Sequence, residues 1–339
     1  MTEVAVVILN YNGRNFLLQF LPIVITCSPG AKIVVADNGS TDDSLEILEK
    51  NFSGSVDVIK IEKNLGFCGG YNYALKTIDA EFFVLLNSDI EVTPGWIGPI
   101  LQVLKSDATI AAAQPKILAY HQKDHFEYAG AAGGFIDALG YPFCRGRLFN
   151  ALEKDSGQYN DTRPVFWATG ACLFIRSISF FECGGLDEKF FAHMEEIDLC
   201  WQLNRRGQKV YYVGESVVYH VGGGTLSKSN PRKTYLNFKN GLSLLLKNLP
   251  GSQLIWKLPL RLFLDWVAAL KFLVQGSPTD CGAVVRAHLN FIGGLTGDLE
   301  KRRTLAQQGV AYPITMQYKG FLTIDFFLLG KRTFDKLEF

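Results

Sequence analysis

The stretch Phe82-Phe-Val-Leu-Leu-Asn-Ser-Asp89 decides the fold that this sequence predicts. Its apolar part, Phe82–Leu86, is rich in aromatic and branched residues and shows no helical period. That pattern is typical of a strand buried on both faces of a parallel sheet. Because ligands of open α/β sheets bind at the carboxyl ends of strands, Asp89 and the nearby Asn87 are candidates to hold a divalent cation. The same residue types also end strands in ordinary turns, so this stretch alone leaves both interpretations open.

Three more strands precede this one, and helical stretches separate all four. The predicted strands are Val4–Leu9, Lys32–Ala36 and Val56–Ile61, and the predicted helices run from about Arg14 to Thr26, from Asp42 to Asn51 and from the turn after Asn64 to Ile78. This β-α-β-α-β-α-β order predicts a parallel, doubly wound sheet with right-handed crossovers. Tyr11, Asp37, Asn64 and Asp89 follow the four strands, so we expect them at one edge of the sheet.

Length, charge and cysteine content narrow the class of protein. A chain of 339 residues can bury a large core and suggests about two domains. The net charge of +1 gives no electrostatic case for nucleic acid as a partner. Seven cysteines without paired short spacings indicate reduced thiols in a cytosolic protein. Neither a signal peptide nor a membrane-spanning helix is expected, since no long uncharged apolar run occurs.

Several motifs resemble those of a known family in their order and spacing. They are Tyr11, Asp37-Asn-Gly-Ser-Thr-Asp42, Asn64-Leu-Gly-Phe67, Leu85-Leu-Asn-Ser-Asp89, Trp167-Ala-Thr-Gly-Ala171, Gly184-Gly-Leu-Asp-Glu188, Glu195-Glu-Ile-Asp198 and His220. With them, the first two thirds of the chain resembles the family 2 glycosyltransferases, and among these the rhamnosyltransferase-like members. The resemblance implies the GT-A fold, a Rossmann-like, mostly parallel central sheet flanked by helices.

The resemblance also implies a site for a UDP- or dTDP-sugar at the strand ends. Asp37 would accept the imide N–H of uracil or thymine, and Tyr11 would lie against the base. Asn64 and Asn87 would belong to the same binding site. Outside this family context, Asp37 and Tyr11 are equally well explained as a turn aspartate and a packed tyrosine.

A divalent cation, Mn²⁺ or Mg²⁺, is the implied cofactor. Asp89 resembles the metal-binding aspartate of the family's Asp-x-Asp motif, whose first position is here Asn87, with one negative charge fewer. Related enzymes place a metal-binding histidine at the position of His220, and an imidazole ligand favours Mn²⁺. The loop at 221–229 is glycine-rich and basic. It is either a lid over the diphosphate or a flexible linker.

A second acidic centre, Glu195-Glu-Ile-Asp198, begins a predicted helix. Glu195 and Asp198 share one helix face, while Glu196 points about 100° away. The helix dipole alone favours acidic residues at this position. In related enzymes the second member of an acidic pair here is the catalytic base, which by position is Glu196, with Glu195 beside it.

The remaining motifs are expected near the sugar and acceptor. Trp167, Thr169 and Gly170 open an apolar strand and, together with Asp198, are predicted to contact substrate. The stretch 119–163 carries no usable motif and is interpreted as a variable acceptor region. A Gln-x-x-Arg-Trp motif, which processive synthases carry, is absent from the sequence, so transfer of a single sugar is expected.

The C-terminal third of the chain has a helical pattern instead of alternating strands and helices. We expect residues 1–230 to form the catalytic domain and residues 231–339 a helical extension, with helices at Leu236–Leu249 and Pro259–Gln275. The second of these is about 25 Å long and contains three charged residues, which makes it a poor membrane span. It either lies in the membrane interface, with Trp266 as an anchor, or packs on the catalytic domain or on a partner in a homo-oligomer.

These observations predict an inverting transferase of one sugar, such as rhamnose, to a glycan or lipid-linked acceptor in cell-surface polysaccharide assembly. It would act in the cytoplasm or on the inner face of the plasma membrane. The alternative is a non-catalytic nucleotide-sugar-binding scaffold, which would need no acidic pair, so Glu195 and Glu196 favour an enzyme. A sugar nucleotidyltransferase would require a phosphate loop after the first strand, and Asn10-Tyr-Asn-Gly13 does not supply one.

Overall fold

The computed structural model describes residues 2–222, 230–308 and 316–339. The strands are β1 Thr2–Asn10, β2 Lys32–Asn38, β3 Asp57–Ile61, β4 Ala80–Asn87, β5 Ile90–Val92, β6 Ile110–Ala119, β7 Gln122–Phe126, β8 Gly134–Ile136, β9 Pro142–Cys144, β10 Arg147–Leu148, β11 Ala151–Leu152, β12 Thr162–Val165, β13 Cys172–Arg176 and β14 Lys209–His220. The helices are α1 Arg14–Cys27, α2 Ser44–Phe52, α3 Gly66–Leu75, α4 Ile97–Ser106, α5 Ser177–Glu182, α6 Glu195–Arg205, α7 Pro231–Asn248, α8 Gly251–Val274, α9 Pro278–Gly293, α10 Leu295–Gln307 and α11 Leu322–Phe327, with short 3-10 helices at Glu188–Phe190 and Phe334–Lys336.

The central sheet has the order β12-β14-β6-β13-β4-β1-β2-β3. In addition, β5 pairs with β14, and β7 pairs with β6. β13 is antiparallel to both of its neighbours, whereas β14 is parallel to β6. The strands β1, β2, β3, β4, β6 and β14 therefore all run in one direction. This arrangement confirms the predicted mostly parallel sheet with flanking helices. A smaller sheet has the order β11-β10-β9-β8.

Alternation along β1 and β4 produces a core on each face of the sheet. Phe82, Val84 and Leu86 face the side covered by α1, α2 and α4, while Phe83 and Leu85 face the side covered by α3 and α6. All five side chains are fully buried. A strand covered on both faces has no polar positions, which is why this run is uninterrupted in the sequence.

Some helix boundaries differ from the prediction. α2 begins at Ser44, two residues after its predicted start at Asp42, and Ser40 lies in the preceding turn, where its hydroxyl accepts from the backbone N–H of Asn12 at 2.9 Å. α8 begins at Gly251 and runs through Pro259, which was predicted as its start. Proline is favoured in the first turn of a helix, which is why Pro259 predicts a helix start. It lies instead on the exposed side of α8, where the helix lacks the one backbone hydrogen bond that the missing N–H of proline would donate.

The last residues of the chain return to the small sheet. The N–H of Tyr318 donates to the carbonyl of Ile136 at 2.8 Å, and the rings of Phe334 and Phe339 pack on Phe135. The C-terminal region is thus joined to the sheet-containing part by a shared core. All seven cysteines are free thiols, as predicted. No helix among the described residues combines the length and apolar content that crossing a bilayer requires.

Candidate active site

The carboxyl ends of the parallel strands meet at one edge of the sheet. In the registers of β1 with its two neighbours, Asn10 lies opposite Asp37 and Leu9 lies opposite Asn87. The antiparallel β13 starts at the same edge, where the N–H of Asn87 donates to the carbonyl of Ala171 at 2.9 Å. This pairing brings the segment 167–171 beside the end of β4.

The residues predicted to hold the nucleotide differ in accessibility. Asp37 is 1% exposed, and its carboxylate accepts from the Asn10 side chain and from the Ser40 N–H, both at 3.0 Å. A carboxylate has about four acceptor positions, so these two bonds leave capacity for a third donor. Tyr11, by contrast, is 41% exposed, and Asn64 is also exposed.

Asp89, His220 and Glu127 form a buried row at the end of β14. β5 pairs antiparallel with the end of β14, and Ile90 lies opposite His220, which places Asp89 beside the imidazole. His220 Nε2 is 3.2 Å from Asp89 Oδ1, and His220 Nδ1 is 3.2 Å from Glu127 Oε2. Glu127 follows β7, the partner of β6, and its N–H donates to the carbonyl of Ile117 at 3.1 Å.

The three groups in this row fix one another's charge. Burial alone would favour the neutral form of each. The hydrogen bonds and charges of Asp89 and Glu127 nevertheless raise the pKa of His220 to about 10. Burial likewise opposes ionisation of the two carboxyls, but the imidazolium holds the pKa of Asp89 and that of Glu127 below their ordinary values. Asp89 is therefore a permanent anion at neutral pH.

A divalent cation shared with a bound diphosphate would fit this row by displacing the proton between His220 Nε2 and Asp89, because only a deprotonated imidazole nitrogen binds a metal. Neighbouring ligands on an octahedral Mg²⁺ or Mn²⁺ ion lie about 3 Å apart, which matches the 3.2 Å between Asp89 Oδ1 and His220 Nε2. Glu127 stands behind the ring, where carboxylates commonly orient a metal-bound histidine. The described residues contain no group of three or more His, Cys, Asp or Glu suited to an ion. Phosphate and water oxygens would then complete the coordination.

The acidic pair follows a strained segment. Phe191, His193 and Met194 have φ values of 65°, 67° and 74°, in the left-handed region that such residues seldom adopt. Asn240 of α7, which is fully buried, donates to the His193 carbonyl at 2.8 Å and to two further carbonyls of this segment. Strain that is held by the surroundings in this way is found mainly at functional sites. α6 begins directly afterwards, at Glu195.

Glu195 and Glu196 are carboxyls for which residues 2–222, 230–308 and 316–339 supply no cationic partner. Glu195 is 4% exposed and Glu196 is partly buried, and one oxygen of each has no hydrogen-bond partner in the described structure. Burial, helped by the charge of Glu196, raises the pKa of Glu195 well above its ordinary value. Burial also raises the pKa of Glu196 to about 7, against the stabilising backbone N–H groups that include that of Gly170. A carboxyl with a pKa near the working pH is suited to accept a proton.

The segment 167–170 touches the acidic pair through its glycine. A Cβ added to Gly170 would lie 3.2 Å from the Phe67 ring and 3.7 Å from Glu196 Cβ. Trp167 and Thr169 are 4% and 2% exposed. The Trp167 indole donates to a carbonyl of β8, and the Thr169 N–H donates to a β6 glutamine. These two hydrogen bonds, one from the Trp167 side chain and one from the Thr169 backbone, hold the segment from inside, while Gly170 faces Glu196.

Asp198 lies away from the pair, in a buried ion-pair network. It is 1% exposed and accepts from Lys247 at 2.8 Å, from Asn248 at 2.7 Å and from Gln202 at 2.9 Å. Lys247 also donates to Asp187 at 2.6 Å. The structure therefore shows Asp198 fastening α6 to α7, and no oxygen of it is directed to the acidic pair.

Two important residues had no signal in the sequence. Glu127 lies in the stretch without motifs, and Lys247 lies in the C-terminal helices. Both are identified only by the tertiary contacts described above. Of the glycine-rich loop predicted as a lid or linker, residues 223–229 lie outside the described residues.

Comparison with known proteins explains this arrangement. The family model named Glycosyl transferase family 2 matches residues 5–160, which include the ends of β1, β2 and β4. Residues 5–160 belong to glycosyl transferase family 2. The part of the chain that carries these strand ends is accordingly similar to glycosyltransferases.

Two curated relatives of this chain are sugar transferases by name. One is the N-acetylglucosaminyl-diphospho-decaprenol L-rhamnosyltransferase of Mycobacterium tuberculosis, 27% identical over 240 residues, which are 65% of this chain and 76% of that protein. Another is the low-salt glycan biosynthesis hexosyltransferase Agl10 of Haloferax volcanii, 26% identical over 60% of this chain and 62% of that one. The predicted resemblance to rhamnosyltransferase-like members is confirmed at this level of similarity.

Solved structures share the fold. GalNAc-T7 with UDP, GalNAc and Mn²⁺ superposes with a TM-score of 0.57 at 18% identity, covering 73% of this chain and 48% of that one. S. aureus TarS 1–349 in complex with UDP-GlcNAc gives 0.55 at 15% identity, covering 92% and 93%. At such identities the likeness shows the fold alone, and it confirms the predicted GT-A architecture with C-terminal helices.

Proposed function

We propose that this glycosyltransferase is metal-dependent and inverting, and that it moves a single sugar from a UDP- or dTDP-sugar to a hydroxyl of a glycan or lipid-linked acceptor. The observation that carries the proposal is the contrast between two carboxylates at one sheet edge. Asp89 is kept ionised beside His220, whereas Glu196 has no cationic partner and its pKa is raised. Environments that shift the pKa values of two carboxyls in opposite directions give the two groups different roles in catalysis. In this proposal residues 1–230 supply the chemistry.

The donor side of the site is the row of Asp89 and His220. These residues would hold Mn²⁺ or Mg²⁺, with Asn87 at the rim, and the ion would stabilise charge on the departing diphosphate. Asp37 retains acceptor capacity for the imide N–H of uracil or thymine, and the exposed Tyr11 is free to lie against the base. Guanine and adenine lack an imide flanked by two carbonyls and would bind less well.

The acceptor side is the start of α6. An acceptor hydroxyl becomes a competent nucleophile when a carboxylate takes its proton in the transition state, an effect of roughly 10²–10⁴-fold. Two observations support Glu196 in this role: Gly170 lies against it, and one of its carboxyl oxygens has no hydrogen-bond partner among the described residues. A single displacement with the base opposite the diphosphate inverts the configuration of the transferred sugar.

A panel of nucleotide sugars tests the proposed function. Transfer should be detected with a UDP- or dTDP-sugar, and the product should carry the anomeric configuration opposite to that of the donor. Calorimetry should show UDP or dTDP binding with GDP much weaker. Equal affinity for GDP would contradict the role given to Asp37, and a product of retained configuration would contradict the single displacement.

The packing of α8 supports a membrane-bound acceptor. Its four fully buried positions recur at every fourth residue, and three of them are charged, Lys257, Arg261 and Asp265. Most of the outward side chains are apolar: Ile255, Trp256, Leu260, Phe263, Trp266, Val267, Leu270, Leu273 and Val274. A helix that buries three of its four charges and exposes an apolar face is the reverse of an ordinary surface helix. We therefore favour the membrane-interface interpretation of this region over packing against a protein partner.

Basic side chains beside the apolar face of α8 indicate what kind of surface this face binds. Lys271 lies over the Phe327 ring at 4.5 Å and Arg332 over the Phe326 ring at 3.9 Å, which joins the end of α8 to α11 and adds basic groups beside the apolar face. Apolar area together with basic side chains suits an anionic bilayer. The protein should float with anionic liposomes, and Phe263→Glu should abolish flotation. A stable dimer in solution that does not bind liposomes would favour the oligomer instead.

A further inference from the structure

A basic cavity beside the acidic pair has no role in the chemistry proposed above. Its volume is about 650 Å³, and it lies between α7 and α9. Three cationic side chains line it, Arg232, Lys239 and Arg286, together with the rings of Phe191 and Tyr235. No aspartate or glutamate is among the residues that line it. This volume falls within the usual range for small-molecule sites.

The cations of this cavity are held in place by aromatic rings and a carbonyl. The Arg232 guanidinium lies 4.9 Å from the centre of the Phe191 ring, and that of Arg286 lies 5.1 Å from the centre of the Tyr235 ring. Lys239 donates to a backbone carbonyl at 2.9 Å. Rings fix the direction of a guanidinium without neutralising it, so its N–H groups stay available to an anion.

Nearby acidic groups are engaged elsewhere. Asp280, in the first turn of α9, accepts from the Thr234 hydroxyl at 2.7 Å and does not line the cavity. Burial, and the charge of the neighbouring Lys189, lower the pKa of Lys239, while the charges of Asp298 and Asp187, which do not line the cavity, oppose this shift. The cavity also adjoins the first turns of α7, which begins at Pro231, and the amino end of a helix favours negative charge.

The cavity shares a wall with the candidate active site. Phe191 lines the cavity, and its carbonyl accepts from the N–H of Phe67 at 2.9 Å. The Phe67 ring in turn lies against Gly170, which faces Glu196. An anion in the cavity would therefore be separated from the acidic pair by only a few side chains.

We propose that this cavity binds the phosphate of the acceptor, a phosphate or diphosphate ester, and so presents the attached sugar hydroxyl to Glu196. The proposal rests on the transferase function given above and adds the chemical class of its acceptor. Guanidinium groups bind phosphate oxygens through paired, charge-assisted hydrogen bonds, and two arginines can grip a diphosphate. The phosphate of a bilayer lipid has the same chemistry, so the experiment must distinguish the two sources.

Calorimetry with inorganic pyrophosphate tests the cavity itself. EDTA is present so that no cation at Asp89 contributes. The variant Arg232→Ala/Arg286→Ala should bind pyrophosphate at least tenfold more weakly than the parent. Arg303→Ala, at an exposed arginine of α10, should bind as the parent does. Equal binding by the double variant and the parent, or no binding by the parent, would overturn the proposal. This measurement needs no sugar transfer, so it stands even if the proposed function fails.

Kinetics then identify the source of the phosphate. The parent should show a KM at least tenfold lower for a phosphate-linked sugar than for the same sugar without phosphate, and the double variant should lose this preference. Its flotation with anionic liposomes should match that of the parent. If flotation is lost while the preference for the phosphate-linked sugar persists, the phosphate belongs to the bilayer and the acceptor assignment is wrong.

Discussion

Two carboxylate centres at the same edge of the sheet are both at least partly buried and have opposite electrostatics. Asp89 lies against a charged imidazole, which holds its pKa below the ordinary value. In the part of the chain that the structure describes, Glu195 and Glu196 have no cation paired with them, and burial raises the pKa of each. The difference shows that partners, rather than residue type or depth, decide whether a buried carboxyl is a fixed charge or a proton acceptor.

A third group of acids completes the comparison. Asp187 and Asp198 are as buried as the other two centres, but Lys247 lies 2.6 and 2.8 Å from them. Burial opposes ionisation, yet Lys247 and Lys301 lower the pKa of Asp187 to about 2. A fully neutralised network of this kind fixes the position of α6, and with it the acidic pair, without taking part in chemistry.

The largest expected effect comes from removing the proton acceptor. Glu196→Gln keeps the shape of the side chain but cannot accept the proton, so the rate of transfer should fall by roughly 10²–10⁴-fold. Steady-state kinetics measure this rate, and calorimetry should show nearly unchanged nucleotide binding. Glu195→Gln is the matched control and should lose less. A Glu196→Gln enzyme as fast as the parent would move the role of base to another residue.

Removing the fixed charge should have the next largest effect. Transfer should be lost in EDTA and return with Mn²⁺ or Mg²⁺, and Asp89→Ala should lower it by about 10²-fold or more, because the cation can no longer be held against the diphosphate. Asp57→Ala, at an exposed aspartate at the start of β3, serves as the control. Full activity of Asp89→Ala in chelator would show that this centre binds no catalytic metal.

The pH dependence should separate the two centres. With a pKa of about 7, Glu196 is protonated in acid, so kcat/KM should fall about tenfold per pH unit below 7 and level off above it. Asp89 stays ionised over this range. The residual activity of Glu196→Gln should lack this acidic limb. A parent profile that is flat from pH 5 to 8 would contradict the raised pKa.

The smallest effect concerns stability. The pKa of Glu196 is raised above its unfolded value, so its proton stabilises the fold below about pH 4.5, and this contribution is lost as the pH rises to about 7. Glu196→Gln should therefore be more stable than the parent at pH 8, by about 1–3 kcal/mol, and this gain in stability should be smaller at pH 5. Urea unfolding measures the difference, and Glu49→Gln on the surface of α2 is the control. No dependence on pH would argue against an unpaired carboxyl.

Sequence reasoning succeeded where the chain carries local patterns. The apolar runs of β1 and β4 predicted the parallel sheet, since strands buried on both faces need such runs. The resemblance named both Asp89 and His220, which the pairing of β5 with β14 then brings within 3.2 Å. The order of strands was enough to predict that these side chains share one edge.

It failed where the outcome depends on contacts between distant segments. Glu127 reaches His220 only through the pairing of β7 with β6, and no motif marks it. Asp198 shares a helix face with Glu195, but Lys247 from α7 gives it a structural partner that no local pattern indicates. Pro259 resembled a helix start because the eight preceding residues of α8 have no capping signal at their beginning.

Titration of the carboxyl groups by ¹³C NMR tests the central contrast most directly. In protein labelled at the glutamate and aspartate side-chain carbons, the Glu195–Glu196 pair should show a titration step near pH 7, and this step should be absent from Glu196→Gln. The Asp89 signal, assigned by its loss in Asp89→Ala, should titrate below pH 3.8. If Glu196 titrates near pH 4.5 like an ordinary glutamate, the two centres are alike and the assignment of their roles is wrong.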